Sequence, residues 1–453
     1  ISALKFMKII ILELNEVPHK VITQFFGNKI PGKYPSDYYQ TISLDKGHIS
    51  PWITWSTVHR GVTNEKHGIN DINQYSDIID EKYPTIFSQC IKDGLKVGIA
   101  NTMHSGILAE KKSEKYQFLI PEAFSNSSFC IPKSLEQFQK LNLALSRQSS
   151  RVVSTKIPKK ISIFQALRSY ILNTKHFDGI GSAIFQIFIE KFNRHRVVRR
   201  RTIQSNLIFD LFLTALEKKR PDLSVFFTNH VASTMHRFWE ATYPNDYKNQ
   251  ISSDSWIKTY KNEIPYAMKV SISYINKLKK IIDNESNMQL WIISSMGQER
   301  VENYKPEDFF WDIVDINKFV SSCLGIDLKV EQIPQMIPLY SFKADKKIID
   351  SFESFLSTTN NMRLRGKTKE SIAFSINNQT SETFIGSRSF TPKGLEKKII
   401  EEQTSSAAYH IPYGFLMRYG PGLDKIKKKS LFENKFIPTH EIKEMIYKTL
   451  KRI

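Results

Sequence analysis

Residues 223–239 constrain the fold more than any other stretch of the chain. They open on an apolar run, 223–227, and continue through polar residues that include His230 and His236. A β-branched and aromatic run of this length predicts a buried strand. The polar residues after it predict a loop at the carboxyl end of the strand, where open α/β sheets bind their ligands. Two histidines in one loop can face one metal ion, and the alternative is that each is a surface or capping residue.

The composition is that of an ordinary globular protein. The chain has 453 residues, 41% hydrophobic and 24% charged, which suffices for one large domain or a core with insertions. Its apolar stretches are shorter than the roughly 20 residues that a membrane-spanning helix needs. The cysteines, Cys90, Cys130 and Cys323, lack metal-type spacing, and no secretory signal is recognisable. We therefore expect a cytoplasmic protein, soluble or peripheral at the inner face of the membrane.

Positive charge is concentrated in one segment of the chain. The formal net charge of +20 indicates an anionic partner. Residues 151–201 contain twelve Lys and Arg against two Asp and Glu, and their apolar residues recur at spacings of three and four. This pattern predicts basic amphipathic helices, which either form a solvated face or contact an anionic membrane or lipid-linked glycan. Nucleic acid is disfavoured as the partner because no nucleic-acid-binding module accompanies the charge.

Polar residues also follow the first predicted strand, at residues 8–12. Glu13, Asn15 and Glu16 gather at the carboxyl end of this strand. Carboxylates and amides at such a position are frequent ligands of metals that prefer oxygen. Either glutamate can instead cap the next helix, so the residues alone leave both interpretations open.

Ser50 and Pro51 predict the start of a helix. Serine is a preferred N-cap residue, and proline is favoured at the first helical position. A hydroxyl at this point also lies where free N–H groups and the helix dipole stabilise a phosphate or an anionic nucleophile. Capping accounts for Ser50 without any chemistry, so a structural and a catalytic interpretation stand side by side.

Six segments carry a resemblance to a known family. In chain order they are MKIIILELNE at 7–16, GVTNEKHGI at 61–69, TNHVASTMHRFW at 228–239, WIISSMG at 291–297, YHIPYGFLMRYGPGL at 409–423 and IPTH at 437–440. Together they resemble the ordered motifs of the alkaline phosphatase superfamily, which includes nucleotide pyrophosphatase/phosphodiesterases, sulfatases and cofactor-independent phosphoglycerate mutases. The resemblance implies an α/β fold, a three-layer sandwich around a central, mostly parallel sheet.

The resemblance also implies a division of the chain. An alkaline-phosphatase-like catalytic core is expected at 7–128 and 202–453, with a helix at 202–219 that docks on the sheet. Residues 129–201 have no counterpart in the common core of the superfamily and are expected to form an inserted, basic helical cap. Residues 314–397 form a second variable insertion.

Three cations of this second insertion are Arg363, Arg365 and Lys367. They can hold a substrate phosphate, Arg as a planar fork and Lys as a point charge. Solvated surface is the interpretation that we favour for all three.

One metal site of the superfamily falls, by position, on His230, His236 and His410. Three imidazoles can bind one zinc ion and leave a fourth coordination position open. The resemblance therefore implies one divalent metal, with zinc favoured and manganese as the alternative.

The second metal site of the superfamily is altered in this chain. Asn15 stands where the family has an aspartate, and Ser295 and Met296 stand where it has an Asp-His pair. None of the three is a usual zinc or magnesium ligand. A second metal is therefore not expected unless Glu13 or Glu16 rebuilds its site.

The nucleophile of the superfamily is a Thr, Ser or modified Cys near a helix start. Counting back from Gly61 leads to Pro51, so a shift of one residue makes Ser50 the nucleophile, with Thr54 as the alternative one turn later.

Other residues near these motifs are expected to have two roles. Glu13 and Glu16 are expected to act in catalysis, and substrate contacts are expected from Asn15, Asn229, Ser295 and Arg237.

The leading hypothesis is a metal-dependent phosphoryl-type transferase or phosphodiesterase. Its substrate would be an anionic glycan or a lipid-linked sugar, in surface polysaccharide biosynthesis or modification. Transfer is favoured over hydrolysis because the second metal site is depleted, and the basic segment would supply part of the missing charge. The alternatives are a catalytically inactive protein that binds glycan or lipid, and an ordinary two-metal phosphodiesterase or sulfatase.

Overall fold

The chain forms two compact units in a computed structural model. The model describes residues 6–70, 77–112, 114–148, 152–153, 158, 161–333, 335, 337–376, 383–385, 388–402, 406–423 and 436–451. The larger unit is built from the described parts of 1–145, 157–304 and 406–453. The smaller unit is built from those of 146–156 and 305–405.

Strands and helices alternate along most of the larger unit. The strands of the described chain are β1 (Lys8–Leu14), β2 (Ser36–Ile42), β3 (Val97–Ala100), β4 (Phe118–Ile120), β5 (Leu223–Thr228), β6 (Met288–Ser294), β7 (Gly297–Arg300), β8 (Phe309–Ile313), β9 (Glu331–Ile333), β10 (Leu339–Lys343), β11 (Met362–Lys367), β12 (Ser371–Ile376), β13 (Thr383–Ile385), β14 (Arg388–Phe390), β15 (Leu395–Ile399), β16 (Ala408–Ile411), β17 (Tyr413–Tyr419) and β18 (Phe436–Pro438). The helices are α1 (His19–Phe25), α2 (Pro51–Arg60), α3 (Asn64–His67), α4 (Asp77–Lys82), α5 (Ile86–Lys92), α6 (Ser105–Glu110), α7 (Glu136–Gln148), α8 (Ile163–Asn173), α9 (Asp178–Phe192), α10 (Arg200–Lys219), α11 (His230–Thr242), α12 (Asp254–Tyr260), α13 (Glu263–Asp283), α14 (Ile316–Leu324), α15 (Lys346–Ser357) and α16 (Ile442–Lys451).

A central sheet of eight strands organises the larger unit. Its order is β18-β2-β17-β6-β1-β5-β3-β4. Strand β1 is parallel to both of its neighbours, β5 and β6, whereas β17 runs antiparallel between β6 and β2. The near-continuous apolar sequences of β1, β5 and β6 are those of strands that are buried on both faces. The predicted α/β class and the mostly parallel central sheet are therefore confirmed.

Helices cover both faces of this sheet. Successive side chains of a strand point to opposite faces, so Ile10 and Leu12 of β1 enter one core while Ile9 and Ile11 enter another. The first core also contains apolar residues of α1, α10, α11 and α13. The second contains those of α2, α5 and α16. The result is the expected three-layer arrangement, and the helix predicted at 202–219 forms α10 in one of its outer layers.

Two local expectations around the functional segments have different outcomes. Helix α2 begins at Pro51 with Ser50 as the N-cap residue, as predicted. The loop predicted after residue 228 is wrong, because helix α11 follows β5 almost directly with Asn229 as its N-cap. Val231, Met235 and Trp239 recur every four residues and are buried in the core, which is the periodicity of a helix that packs on a sheet.

Residues 151–201, the segment rich in Lys and Arg, contain the two helices α8 and α9. Helices were predicted there from apolar residues at spacings of three and four. Residues 149–151, 154–157 and 159–160 of the expected cap lie outside the described residues. The division of the chain at 129–201 stays a prediction. Among the described residues, no helix combines the length and the apolar content that crossing a bilayer requires.

The smaller unit has a core of its own. Its four-stranded antiparallel sheet has the order β11-β12-β10-β9, and α14 and α15 contribute apolar residues to the same core. The cations of β11 already have protein partners at two positions. Arg365 Nε donates to Ser375 Oγ over 2.9 Å, and Lys367 Nζ lies 2.6 Å from Asp350 and 2.5 Å from Glu353. These bonds favour the surface interpretation of Arg365 and Lys367 over phosphate binding.

Candidate active site

The polar residues of the larger unit converge at the carboxyl edge of its parallel strands. Glu16 follows β1, Asn229 follows β5 and Ser295 follows β6. The short ribbon of β7 and β16 adds His410, which pairs with Gln298 across the two strands. This edge is where α/β sheets of this kind bind their ligands.

One carboxylate and two imidazoles form a cluster at this edge. Glu16 Oε2 lies 2.9 Å from His236 Nε2 and 3.3 Å from His410 Nε2. The three ligand atoms lie within 4.8 Å of one another. Glu16 is buried, whereas the side chains of His236 and His410 are 24% and 9% exposed. The buried carboxylate therefore closes one side of the cluster, and the side formed by His236 is open to solvent.

Backbone carbonyls orient both imidazoles. His236 Nδ1 donates to the carbonyl of Ala408 over 2.7 Å, and His410 Nδ1 donates to that of Ile49 over 3.0 Å. A carbonyl can only accept, so each Nδ1 carries a proton. Each Nε2 then faces the carboxylate of Glu16. Because an unprotonated Nε2 and a carboxylate oxygen are both acceptors, each contact needs either a proton on Nε2 or a cation between the two atoms.

Electrostatics keep Glu16 ionised in this cluster. Burial alone would raise the pKa of Glu16, but the positive charges of His410 and His236 outweigh burial and hold that pKa well below its ordinary value. Burial alone would lower the pKa of His410, and the carboxylate of Glu16 raises it instead. The carboxylate of Glu16 is therefore negatively charged where it contacts the imidazole rings of His236 and His410.

The backbone of Glu16 is held in an unusual conformation. Its φ of 58° lies in the left-handed region, which costs a non-glycine residue about 1 kcal/mol. Two side chains fix the carboxylate in place: Asn15 Nδ2 donates to Oε1 over 2.8 Å, and Gln298 Nε2 donates to Oε2. Such strain is often found at functional sites, where surrounding contacts maintain it.

Ser50 lies next to this cluster at the start of α2. The preceding residue, Ile49, supplies the carbonyl that holds His410. Ser50 Oγ is buried and has no hydrogen-bond partner, and the hydroxyl does not cap the helix. Burying a hydroxyl without a hydrogen-bond partner costs free energy. At a helix N-terminus, it is placed to interact with an anion.

The residues of the cluster fit a divalent metal ion. Two imidazole nitrogens and a carboxylate oxygen are a usual donor set of catalytic zinc, which keeps one position open. Histidine ligands of metals generally donate their other ring N–H to a carbonyl or carboxylate, as both rings do here. The two imidazoles suit zinc better than magnesium, which prefers oxygen ligands.

His230 does not join the cluster, in contrast to the predicted ligand set. Its Nδ1 lies 2.6 Å from Thr228 Oγ1 and its Nε2 lies 3.1 Å from the carbonyl of Ala267. Burial lowers the pKa of His230 to about 4, so the ring is neutral at pH 7. His230 and His236 are six positions apart in the helix, which places the two side chains roughly 120° apart around the helix axis. The structure therefore brings Glu16, instead of His230, to His236 and His410.

Hydrogen bonds join the residues at which the resemblance had implied an altered second metal site. Asn15 Nδ2 also donates to Asn229 Oδ1 over 2.7 Å, and Asn15 Oδ1 accepts from Trp55 Nε1 over 2.8 Å. Thr54 and Ser295 share a hydrogen bond of 2.8 Å between their buried hydroxyls. Glu16–His236–His410 is the one group with metal-type geometry among the described residues.

Two further predicted residues lie in other surroundings. Glu13 Oε1 is 2.6 Å from His59 Nε2 in a buried pair beneath α2. Arg237 is buried beside His236 in α11 and donates from Nε to the carbonyl of Ser233 over 3.1 Å. Glu13 therefore contacts His59 through Oε1. A catalytic role of Glu13 and a substrate contact of Arg237 stay predictions.

The sequence alone did not single out His48, Tyr409 or Gln298 as site residues. The Tyr409 ring stacks on that of His410, with centroids 4.4 Å apart, and Tyr409 Oη lies 3.3 Å from His48 Nε2. Both residues are exposed and line the open side of the cluster. Their closeness in sequence to Ser50 and His410 is a signal that could have identified His48 and Tyr409. For Gln298, the one signal in the sequence is its position shortly after the end of a predicted strand.

Comparisons with known proteins give a likeness in structure alone. No family model matches the chain, and no curated protein matches it either. The solved structures that it is similar to include murine ectonucleotide pyrophosphatase/phosphodiesterase 5, with 10% identity over 98% of this chain and 95% of that chain and a TM-score of 0.37. They also include the alkaline phosphatase of the Antarctic bacterium TAB5, with 11% identity, 99% of each chain and a TM-score of 0.34.

A third similar structure is phosphonoacetate hydrolase from Sinorhizobium meliloti 1021 in complex with phosphonoacetate. It is 10% identical over 98% of this chain and 96% of that chain, with a TM-score of 0.39. With identities of 10–11% and TM-scores of 0.34–0.39, these likenesses do not indicate what the chain does.

Proposed function

We propose that the chain is a metal-dependent enzyme of phosphoryl-type transfer, with Ser50 as the residue that accepts the transferred group. The observation that carries this proposal is the buried, unpartnered Ser50 Oγ at the start of α2, one residue from the carbonyl that orients His410. A hydroxyl with no structural bond is free to interact with a substrate. The helix N-terminus would stabilise both an alkoxide and an anionic phosphoryl group.

The residues of the cluster have separate tasks in this scheme. Glu16, His236 and His410 would hold one zinc or manganese ion, which supplies Lewis-acid polarisation of the phosphoryl group. The carbonyls of Ile49 and Ala408 keep each ring in the tautomer that directs Nε2 into the site. Asn15 and Gln298 hold the carboxylate of Glu16. A site fixed in this way requires little reorganisation during the reaction.

Transfer to an acceptor fits this site better than hydrolysis. The bonds between Thr54 and Ser295 and between Asn15 and Trp55 satisfy the groups that would otherwise flank a second ion. In this scheme no second ion binds there, so a water would not be activated and the leaving oxygen would not be stabilised in the way that a second ion provides. Tyr409, 39% exposed at the open side, offers an aromatic face of the kind on which a sugar ring packs. We propose an anionic glycan or lipid-linked sugar as the substrate, handled at the cytoplasmic face of a membrane.

The proposal is tested by comparing a chromogenic phosphodiester with polyprenyl-linked sugar phosphates, each with and without added zinc or manganese. We expect metal-dependent transfer from the lipid-linked donor, in which a bond from Ser50 Oγ to phosphorus replaces the bond to the leaving oxygen and the Ser50 proton passes to that oxygen. Mass spectrometry of the quenched reaction should detect the adduct on Ser50. Ser56→Ala is the matched control, because Ser56 lies on the same helix and its hydroxyl is bonded to the carbonyl of Trp52.

Two results would contradict this proposal. Rapid hydrolysis of the phosphodiester without any glycan would replace transfer by ordinary phosphodiesterase chemistry. A protein that binds metal and the lipid-linked sugar but turns over neither substrate would be a binding protein.

A further inference from the structure

Helices α8 and α9 carry an unusual concentration of exposed apolar side chains. Eleven large hydrophobic residues between 163 and 192 are exposed: Ile163, Phe164, Leu167, Ile171, Leu172, Phe177, Ile184, Phe185, Ile187, Phe188 and Phe192. We call residues 163–192 the apolar hairpin. Scattered exposed apolar residues need no explanation, whereas a contiguous set of this size marks an interaction surface.

The amphipathicity of α9 is inverted. The buried residues of this helix are Gly179 and Gln186, whereas Ile184, Phe185 and Phe188 are 65%, 63% and 58% exposed. A surface helix normally buries its apolar stripe and exposes its polar residues. Helix α9 thus packs on the protein through Gly179, Gln186 and the partly buried Ile180, and it leaves most of its large apolar side chains exposed.

Specific contacts fix the hairpin in this orientation. Asp210 of α10 accepts hydrogen bonds of 2.7 Å from both Gly179 N in α9 and Tyr170 Oη in α8. A Cβ on Gly179 would lie 2.9 Å from the Cα of Leu207, so the two helices approach closely at that glycine. Gln186 Nε2 donates to the carbonyl of Arg196 over 2.6 Å on the same side of the helix. The outward direction of the apolar side chains is therefore built into the packing.

Exposed cations accompany the apolar side chains of the hairpin. Arg168, Lys175 and Lys191 are exposed on or between its helices. Of the twelve Lys and Arg of residues 151–201, four lie outside the described residues, and Arg196, Arg199 and Arg200 are paired with Glu263 or Glu190. Two copies that met through this face would bring equal positive charges together, which disfavours self-association. Exposed apolar side chains accompanied by cations match the interface of an anionic bilayer.

We propose that the apolar hairpin docks the protein on an anionic membrane, with the aromatic and branched side chains of α9 in the acyl boundary and the basic residues at the lipid headgroups. The long Lys and Arg side chains can reach the headgroups while their stems lie against apolar surface. This inference depends on the exposure and charge of α8 and α9, and it holds whether or not the site at Ser50 is catalytic.

Co-sedimentation of the full chain with vesicles tests the docking. We expect binding to vesicles of phosphatidylglycerol, weaker binding at high salt, and little binding to phosphatidylcholine alone. Phe185→Ser combined with Phe188→Ser should weaken binding at least tenfold, and so should Lys175→Gln combined with Lys191→Gln. Ile78→Ser is the matched control, because Ile78 is 76% exposed on α4 and should leave binding unchanged.

Three outcomes would overturn the proposal. The first is equal binding of the wild type and the Phe185/Phe188 variant to phosphatidylglycerol, with both proteins folded by circular dichroism. The second is equal binding to charged and uncharged vesicles. The third is absence of vesicle binding together with a dimer, detected by analytical ultracentrifugation, that the Phe185/Phe188 variant abolishes, since the face would then bind a second copy.

Discussion

Ser50→Ala is expected to lower turnover about a thousandfold, which corresponds to roughly 4 kcal/mol of transition-state stabilisation. Stability should hardly change. Replacing an N-cap serine by alanine generally costs about 1 kcal/mol because a cap hydrogen bond is lost. Ser50 Oγ makes no such bond, so the capping contribution is absent here. Lost activity with unchanged stability separates a catalytic hydroxyl from a structural one.

The measurement is initial-rate kinetics alongside urea unfolding, with Thr54→Val as the comparison. Thr54 is the alternative nucleophile, and its hydroxyl bonds to Ser295 over 2.8 Å. Thr54→Val should therefore cost stability and leave much of the activity. Full activity in Ser50→Ala together with an inactive but folded Thr54→Val would assign the nucleophile to Thr54.

Acid is expected to unfold the protein between pH 6.5 and pH 4, because buried histidines must remain neutral in the fold. Burial lowers the pKa of His67 and of His230 to about 4 each. His67 Nδ1 accepts the N–H of Ile69 over 3.0 Å, a bond that needs a neutral ring. Since the unfolded chain takes up protons at about pH 6.5, stability is complete above that value and falls as the pH drops toward 4.

Each of these histidines contributes up to about 3 kcal/mol of this loss, set against a total stability of about 5–15 kcal/mol. Urea midpoints at pH 7, 5.5 and 4.5 provide the measurement. His230→Gln should reduce the decline between pH 7 and pH 4.5, since glutamine keeps hydrogen-bonding groups and does not titrate. A midpoint that is constant over this range would contradict neutral burial of the two rings.

The architecture could be predicted because six ordered segments resemble the motifs of a known superfamily, and the resemblance implied a three-layer sandwich. Local signals then predicted single elements. Residues 223–227 identified β5, and Ser50 with Pro51 identified the start of α2. Both signals are local, since one depends on hydrophobicity and the other on the capping preferences of single residues. Neither depends on how distant segments meet.

The ligand set could not be predicted from the sequence, because it depends on helical phase and backbone conformation. His230 and His236 look equivalent in a loop, and only the helix of α11 turns them in different directions. Glu16 reaches the two imidazoles from a residue with a φ of 58°. No sequence pattern predicts a left-handed glutamate at a strand end.

The apolar hairpin shows the same limit of sequence analysis. Spacings of three and four in α8 and α9 predict amphipathic helices, and they do so whichever side faces the protein. Gly179 and its contact with Asp210 decide the orientation of α9, and that contact joins positions 31 residues apart. The periodicity therefore identified the helices, and only tertiary packing showed that their apolar sides are exposed.

Metal content per chain tests the central claim most directly. Elemental analysis of protein purified without chelator should give about one zinc or manganese per chain. The metal should be lost in Glu16→Ala and His236→Ala and retained in His230→Gln, with folding of each variant checked by circular dichroism. Metal that is lost in His230→Gln but retained in Glu16→Ala would contradict the site, as would two metals per chain, or none after soaking in zinc and manganese.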